Sequence, residues 1–168
     1  CLSALRSNAD RLRASSMAVT NQDARNFSFE PLGIERVDHA LVDAPCTCEG
    51  TLRKNPDALS SVGPGASRNL AAVQRDILIR AIKATRPGGS VVYSTCTFAP
   101  EENEAVVDAA LQATAAEVVD FESPLPGTPG IESWEGETFD QAVTKTRRYY
   151  PHHTDTGGFY VAKLEVPA

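Results

Sequence analysis

The sequence is short of the features that would place it in a membrane, in a secreted scaffold or on a nucleotide-binding loop. No stretch of its 168 residues approaches the ~18 consecutive apolar residues of a membrane-crossing helix, which argues against a helical span. No basic, then apolar, then small-residue pattern opens the chain, so it reads as lacking a signal peptide. Aromatic residues are 7% of the total, and there is one Met and one Trp. No Gly-x-Gly-x-x-Gly, P-loop, internal repeat or low-complexity tract is present. The chain opens in mid-pattern at Cys1-Leu2-Ser3 without a starting Met, and is expected to be a fragment of a longer protein.

Charge is scarce on the positive side. Formal net charge is −6, which by itself disfavours a polyanionic partner. Distribution matters more than the sum. Of 12 Arg and 4 Lys, four (Arg53, Lys54, Arg68, Arg75) fall in the middle of the chain. Lys145, Arg147 and Arg148 cluster near the end, while acids concentrate at 101–104 and 117–140. A local basic face on an acidic protein is compatible with this pattern. Length and a 42% hydrophobic content fit one globular domain over residues 1–168 with a true core.

Periodicity predicts an amphipathic helix over 2–13, a short strand over 17–20 and an apolar strand over 37–43. A long Pro/Gly-containing loop follows over 44–66, and a loop of that length inside a domain is usually functional. A helix over 67–85 carries the stripe Leu70, Val73, Ile77, Leu78 and Ile82. Arg86-Pro87-Gly88-Gly89 stops it, a strand spans 90–95, and Pro100-Glu101-Glu102 opens a helix running to about 114. Strands are predicted over 117–121 and 159–166, with a surface excursion over 122–145. The alternation implies an α/β fold with a mostly parallel sheet.

The four cysteines (1, 46, 48, 96) in an unsecreted chain point to chemistry or metal rather than a disulfide framework. Cys1, on a helix, is read as packing. Cys46 and Cys96 each sit on a loop after an apolar strand, where ligands bind in α/β sheets. Pro45 stiffens the turn before Cys46, and Asp43 lies three residues ahead of it. A thiol and an acid on such a loop suit a base-modifying reaction; a buried, inert thiol is the plainer alternative. Cys46-Thr47-Cys48 has one intervening residue where zinc sites use about two to four, so no metal is expected, although Cys96, His152 and His153 are available as further ligands. His39 reads as structural. Asp23, expected at a strand end, is placed to accept from an adenine amino group, or simply to cap a turn.

These motifs together carry a resemblance. Asp43-Ala44-Pro45-Cys46-Thr47, Glu49-Gly50-Thr51-Leu52-Arg53-Lys54-Asn55-Pro56, Gln74-Arg75, Tyr93-Ser94-Thr95-Cys96-Thr97-Phe98-Ala99-Pro100-Glu101-Glu102-Asn103-Glu104, and Arg148-Tyr149-Tyr150-Pro151-His152 with Thr156-Gly157-Gly158-Phe159-Tyr160 resemble, in this order, the Sun/nucleolar family of RNA cytosine-5 methyltransferases. The resemblance implies a Rossmann-like fold using S-adenosylmethionine, with tRNA or rRNA as partner, in a cytoplasmic and monomeric full-length enzyme. It implies that Cys96 attacks carbon 6 of cytosine, Asp43 binds the pyrimidine edge and Cys46 assists breakdown of the adduct. Asp23, Asp43 and Pro45 are implied to contact the cofactor, and Arg53, Lys54, Arg148 and His152 are candidate RNA contacts. The family's Gly-rich cofactor loop and first strands have no match here, so the 168 residues alone are expected to bind the cofactor poorly and be inactive. Cys48 stands where that motif commonly has Gly. A non-catalytic RNA-binding or ribosome-assembly module of the same fold is the alternative.

Overall fold

The computed structural model describes residues 2–61 and 64–168; Cys1 lies outside them. Helix α1 (Leu2–Arg11) forms as expected but buries none of its residues. The chain then runs without regular structure to 3₁₀ turns at Ala24–Asn26 and Glu30–Leu32. The strand expected over 17–20 does not form. A strand exists only as part of a ladder, and among the described residues no strand pairs with this segment. Asp23 therefore caps a 3₁₀ turn rather than ending a strand, accepting from the backbone N–H of Arg25.

Strand β1 (Val37–Asp43) matches the apolar run. The long loop after it is less open than expected, containing 3₁₀ turns at Glu49–Thr51 and Pro56–Ser61. Helix α2 (Pro64–Ala84) follows, with Gln74, Leu78 and Ile82 on its buried edge at four-residue spacing. Strand β2 spans Thr85–Thr95. Its register against β1 jumps between the Val37–Thr85 and His39–Ser90 pairs, so residues 86–89 bulge out of the ladder. Gly89 is required there, because a Cβ would stand 2.4 Å from the Asp38 carbonyl oxygen.

A 3₁₀ turn at Pro100–Glu102 leads into α3 (Glu104–Ala113). Strand β3 is only Glu117–Val118. Residues 122–145 hold β4 (Thr128–Pro129), the hairpin β5 (Ser133–Trp134) and β6 (Glu137–Thr138), and a 3₁₀ turn at Gln141–Lys145. This excursion is not all surface, since it sends Phe139 and Val143 into the core. Strand β7 (Arg147–Tyr149), the one-turn α4 (Pro151–Thr154) and β8 (Phe159–Glu165) complete the chain.

The sheet order is β1-β2-β8-β7-β4, with β3 also on β8. The β1–β2 pair is parallel; β8 runs antiparallel to β2, β3 and β7. The sheet is thus mixed: parallel at its start and antiparallel beyond, where the alternating final strand folds back between β2 and β7. Alternation on β2 and β8 buries Val91, Tyr93, Tyr160, Ala162 and Leu164 against α2 and α3. Of these, the larger aliphatic side chains Val91 and Leu164 each contribute about 1.5–3 kcal/mol on burial. β1 is the last strand in the order at its end of the sheet, and Leu41 on it is 72% exposed. Among the described residues no helix is long and apolar enough to cross a membrane.

Candidate active site

The parallel register sets Asp43 beside Ser94, so the loops after β1 and β2 leave the sheet at the same edge. The Ala44 N–H donates to the Ser94 carbonyl at 3.2 Å and keeps the two loops together for one residue more. Cys46 and Cys96 then meet, with sulfurs 3.3 Å apart. Cys48 lies 3.7 Å from Cys46, and all three sulfurs fall within 4.8 Å of one another. Cys48 has φ +64°, a left-handed backbone that side-chain-bearing residues seldom adopt.

A buried polar frame holds these loops. Glu102 is fully buried and its carboxylate accepts from the Thr47 N–H at 3.1 Å, the Thr47 hydroxyl and the Gln74 amide at 2.8 Å. The same amide donates to the Pro45 carbonyl at 2.7 Å. One residue on either side of Cys46 is thereby pinned to α2 and to the turn before α3. On the second loop, the Thr95 hydroxyl donates to Asn103, and the Asn103 amide donates to the Thr97 carbonyl at 3.1 Å. Gly50 ties three segments at one point. Its N–H donates to the Cys96 carbonyl at 2.9 Å, and its carbonyl accepts from the Gly158 N–H at 2.8 Å. A Cβ on Gly50 would stand 2.3 Å from the Gly158 oxygen, so only glycine fits.

Two clefts flank the thiol loop. One, of about 570 Å³, is lined by Gly50, Arg53, Lys54, Cys96 and residues 155–159. The other, of about 280 Å³, is mostly apolar and is lined by Ala24, Phe27, Phe29, Leu41, Asp43 and Pro45, among others. Arg80 on α2 donates to the Phe27 carbonyl and fixes that wall. Asp43 and Pro45 thus line the smaller cleft and Cys96 the larger.

The remaining expected residues divide. Arg53 and Lys54 share the larger cleft with Cys96, Arg53 being paired with Asp155 at 2.7 Å. Asp23 is exposed and held by Arg25 at 2.6 Å; its neighbour Ala24, rather than Asp23 itself, lines the smaller cleft. Hydrogen bonds from the Arg25 side chain, then its backbone, hold the Asp23 carboxyl down at about 2. His152 is exposed and stacks on Tyr150, which stacks in turn on Phe98. Arg148 is placed differently. It is 4% exposed, and its guanidinium is consumed by the fully buried Glu104 and by the Phe98 carbonyl at 3.0 Å. It braces the loop after Cys96. Burial pulls its pKa down, but Glu104 outweighs that and leaves it above the usual arginine value.

The two central thiols are unequal. Burial, and then the contact with Cys96, pushes Cys46 far above an ordinary thiol. Burial also raises Cys96, but there the hydrogen bond with Cys46 acts the other way and favours the thiolate. The contact between the two sulfurs thus acts in opposite directions on them, raising Cys46 further and offsetting part of the rise at Cys96. Sequence reasoning named both thiols but missed the frame behind them. Glu102 and Gln74 stood inside recognisable motifs, yet only their burial reveals that they position the loop.

Residues 1–165 match the family described as 16S rRNA methyltransferase RsmB/F, and the chain belongs to that family. It is 39% identical over 149 residues to the tRNA (cytosine(49)-C(5))-methyltransferase of Pyrococcus abyssi, covering 89% of this chain and 47% of that one. It is 41% identical over 160 residues to the ribosomal RNA small subunit methyltransferase F of Shewanella loihica, covering 95% and 31%. Among solved structures, a methyltransferase homolog protein from Pyrococcus horikoshii superposes with TM-score 0.76 at 28% identity, over 96% of this chain and 48% of that one. NSun6 from P. horikoshii with SFG gives TM-score 0.75 at 34% identity, over 95% and 37%. The chain thus spans less than half the length of these relatives.

Proposed function

We propose that this chain is the base-activating part of an S-adenosylmethionine-dependent RNA cytosine-5 methyltransferase, residues 1–168 forming part of its catalytic domain. The observation that carries the reading is the 3.3 Å contact between Cys46 and Cys96 at the ends of two adjacent parallel strands. An unactivated cytosine carbon 5 is a poor nucleophile. Addition of the Cys96 thiolate to carbon 6 turns the C5–C6 double bond into a carbon 5 nucleophile. After carbon 5 is methylated, loss of its proton and expulsion of the Cys96 thiolate restore the ring. Cys46, protonated and in contact with the departing sulfur, assists that last step. Asp43, exposed at the end of β1, accepts from the amino edge of the base. The target has to leave its stack to reach a half-buried thiol, and the 570 Å³ cleft with Arg53 and Lys54 is where it enters.

The residues present fit part of the cofactor. The smaller cleft offers apolar walls from Phe27, Phe29 and Leu41 to a flat ring, with the Asp43 carboxylate at its rim for a cationic centre. When bound there, S-adenosylmethionine supplies an electrophilic methyl group. Leu41 is largely exposed and the wall beside it is open, so the 168 residues alone bind the cofactor weakly and do not turn over.

The test is methyl transfer from labelled S-adenosylmethionine to tRNA and rRNA by the longer protein. Cys96→Ser abolishes transfer, whereas Cys46→Ala accumulates a covalent RNA adduct visible on a denaturing gel. An active Cys96→Ser variant overturns the assignment. RNA affinity without methylation in the unmodified protein would favour a binding-only module instead. Robust transfer by the isolated 168 residues would refute the expected inactivity.

A further inference from the structure

We propose that Cys46, Cys48 and Cys96 form a three-thiolate site for a soft, filled-shell cation of the Zn²⁺ type. The single-residue spacing of Cys46 and Cys48 argued against a metal in the sequence, because adjacent zinc ligands usually stand about two to four residues apart. The folded backbone removes that objection. With φ +64° at Cys48, the chain doubles back, and its sulfur comes within 3.1 Å of the Cys46 carbonyl and 3.7 Å of the Cys46 sulfur. The third sulfur arrives from the other loop, 3.3 Å from Cys46.

These separations suit one ion. At a metal–sulfur distance of about 2.3 Å, tetrahedral and trigonal geometry set sulfurs about 3.8 and 4.0 Å apart. The three sulfurs here, with separations of 3.3 and 3.7 Å and none beyond 4.8 Å, need only small side-chain rotations to close on a common centre. The donor set is all sulfur, which selects thiophilic d¹⁰ ions over Mg²⁺ or Ca²⁺. The sulfurs are half-buried and Cys96 opens on the 570 Å³ cleft, so an ion can enter and keep its fourth position for water. Arg53, the cation on that cleft with a described partner, is paired with Asp155. An ion held this way occupies Cys96; if Cys96 is the nucleophile proposed above, metal and base exclude each other and the ion is a reversible lock.

Titration of the reduced, chelator-treated chain with Co²⁺ tests the site without any assay of methyl transfer, so its failure and the failure of the proposed catalysis are separable. One equivalent is expected to produce the intense near-ultraviolet thiolate-to-cobalt band, which Zn²⁺ bleaches by displacement. Elemental analysis then finds one Zn²⁺ per chain. Cys48→Ser weakens Zn²⁺ by more than roughly 100-fold, beyond the 10–100-fold typical of partners behind the ligands. Cys46→Ser does the same, and Cys1→Ser has no effect. Absence of the band, or a Cys48→Ser chain that keeps its affinity, overturns the proposal; so does loss of binding in Cys1→Ser.

Discussion

Replacing Arg148 separates a structural arginine from one that meets RNA. Its guanidinium bonds the Glu104 carboxylate through Nε at 2.6 Å and through Nη2, while Nη1 donates to the Phe98 carbonyl at 3.0 Å. Glu104 is fully buried, so Arg148→Met strands a carboxylate in the core. Removing one partner of a buried pair costs about 3–5 kcal/mol. Glu104 keeps the Ile131 N–H at 3.1 Å, which favours the lower end, about 3 kcal/mol. With a urea slope of about 2 kcal/mol/M, the unfolding midpoint falls by about 1.5 M. That is a large share of the total of about 5–15 kcal/mol expected for a domain. Combining Arg148→Met with Glu104→Leu recovers most of the loss, because no charge is then left buried. The measurement is urea denaturation of both singles and the double, beside RNA affinity at several salt concentrations. A loss below about 1 kcal/mol, or a salt slope lowered by about one with stability intact, would show that Arg148 serves a phosphate and that the packing argument is wrong.

Gly50→Ala drives a methyl group into the Gly158 and Cys96 carbonyl oxygens, backbone atoms that cannot rotate away. It should cost about 1–3 kcal/mol and raise the alkylation rate of Cys96 as its loop loosens, read by denaturation and mass spectrometry. Both thiols have raised pKa values in the folded chain, so above the free-thiol value of about 8.5 the folded state holds more protons than the unfolded one. Their contribution to stability is complete below that pH and declines as pH rises. Urea midpoints between about pH 7.5 and 9.5 should fall, and Cys46→Ala should flatten the decline; a flat profile in the unmodified chain would contradict it. Arg25→Ala frees Asp23, whose carboxyl should climb from about 2 towards the ordinary aspartate value in an NMR titration.

The helices and the central strands were legible because their patterns are local. Four-residue spacing marks α2, and the apolar run of β1 and the two-residue alternation of β8 reach the structure with their limits nearly unchanged. The segment over 17–20 misled because β-propensity cannot supply a neighbour. β7 escaped notice because Arg147-Arg148-Tyr149 is too polar to look like a strand; its Arg148 is buried only because Glu104 waits for it on α3. The thiols were legible as motif residues, and their convergence followed from a parallel register that no local pattern encodes. Glu102 looked like an acid placed for a helix start. Its burial against Thr47 and Gln74 depends on three elements meeting. The conformation of Cys48 was hidden as well, since a residue with a side chain gives no sign that its backbone is left-handed.

The knot of backbone hydrogen bonds at Gly50 has a consequence for how the protein is made. Its two partners belong to the loop after β2 and to the residue before β8. Synthesis delivers those pieces in order, at about 5–20 residues per second. The thiol loop emerges early and stays untied at this point until Gly158 has left the ribosome. The frame from Glu102, Gln74 and Asn103 can hold the two cysteine loops by then, while the link from Gly50 to the final strand closes only when that strand arrives.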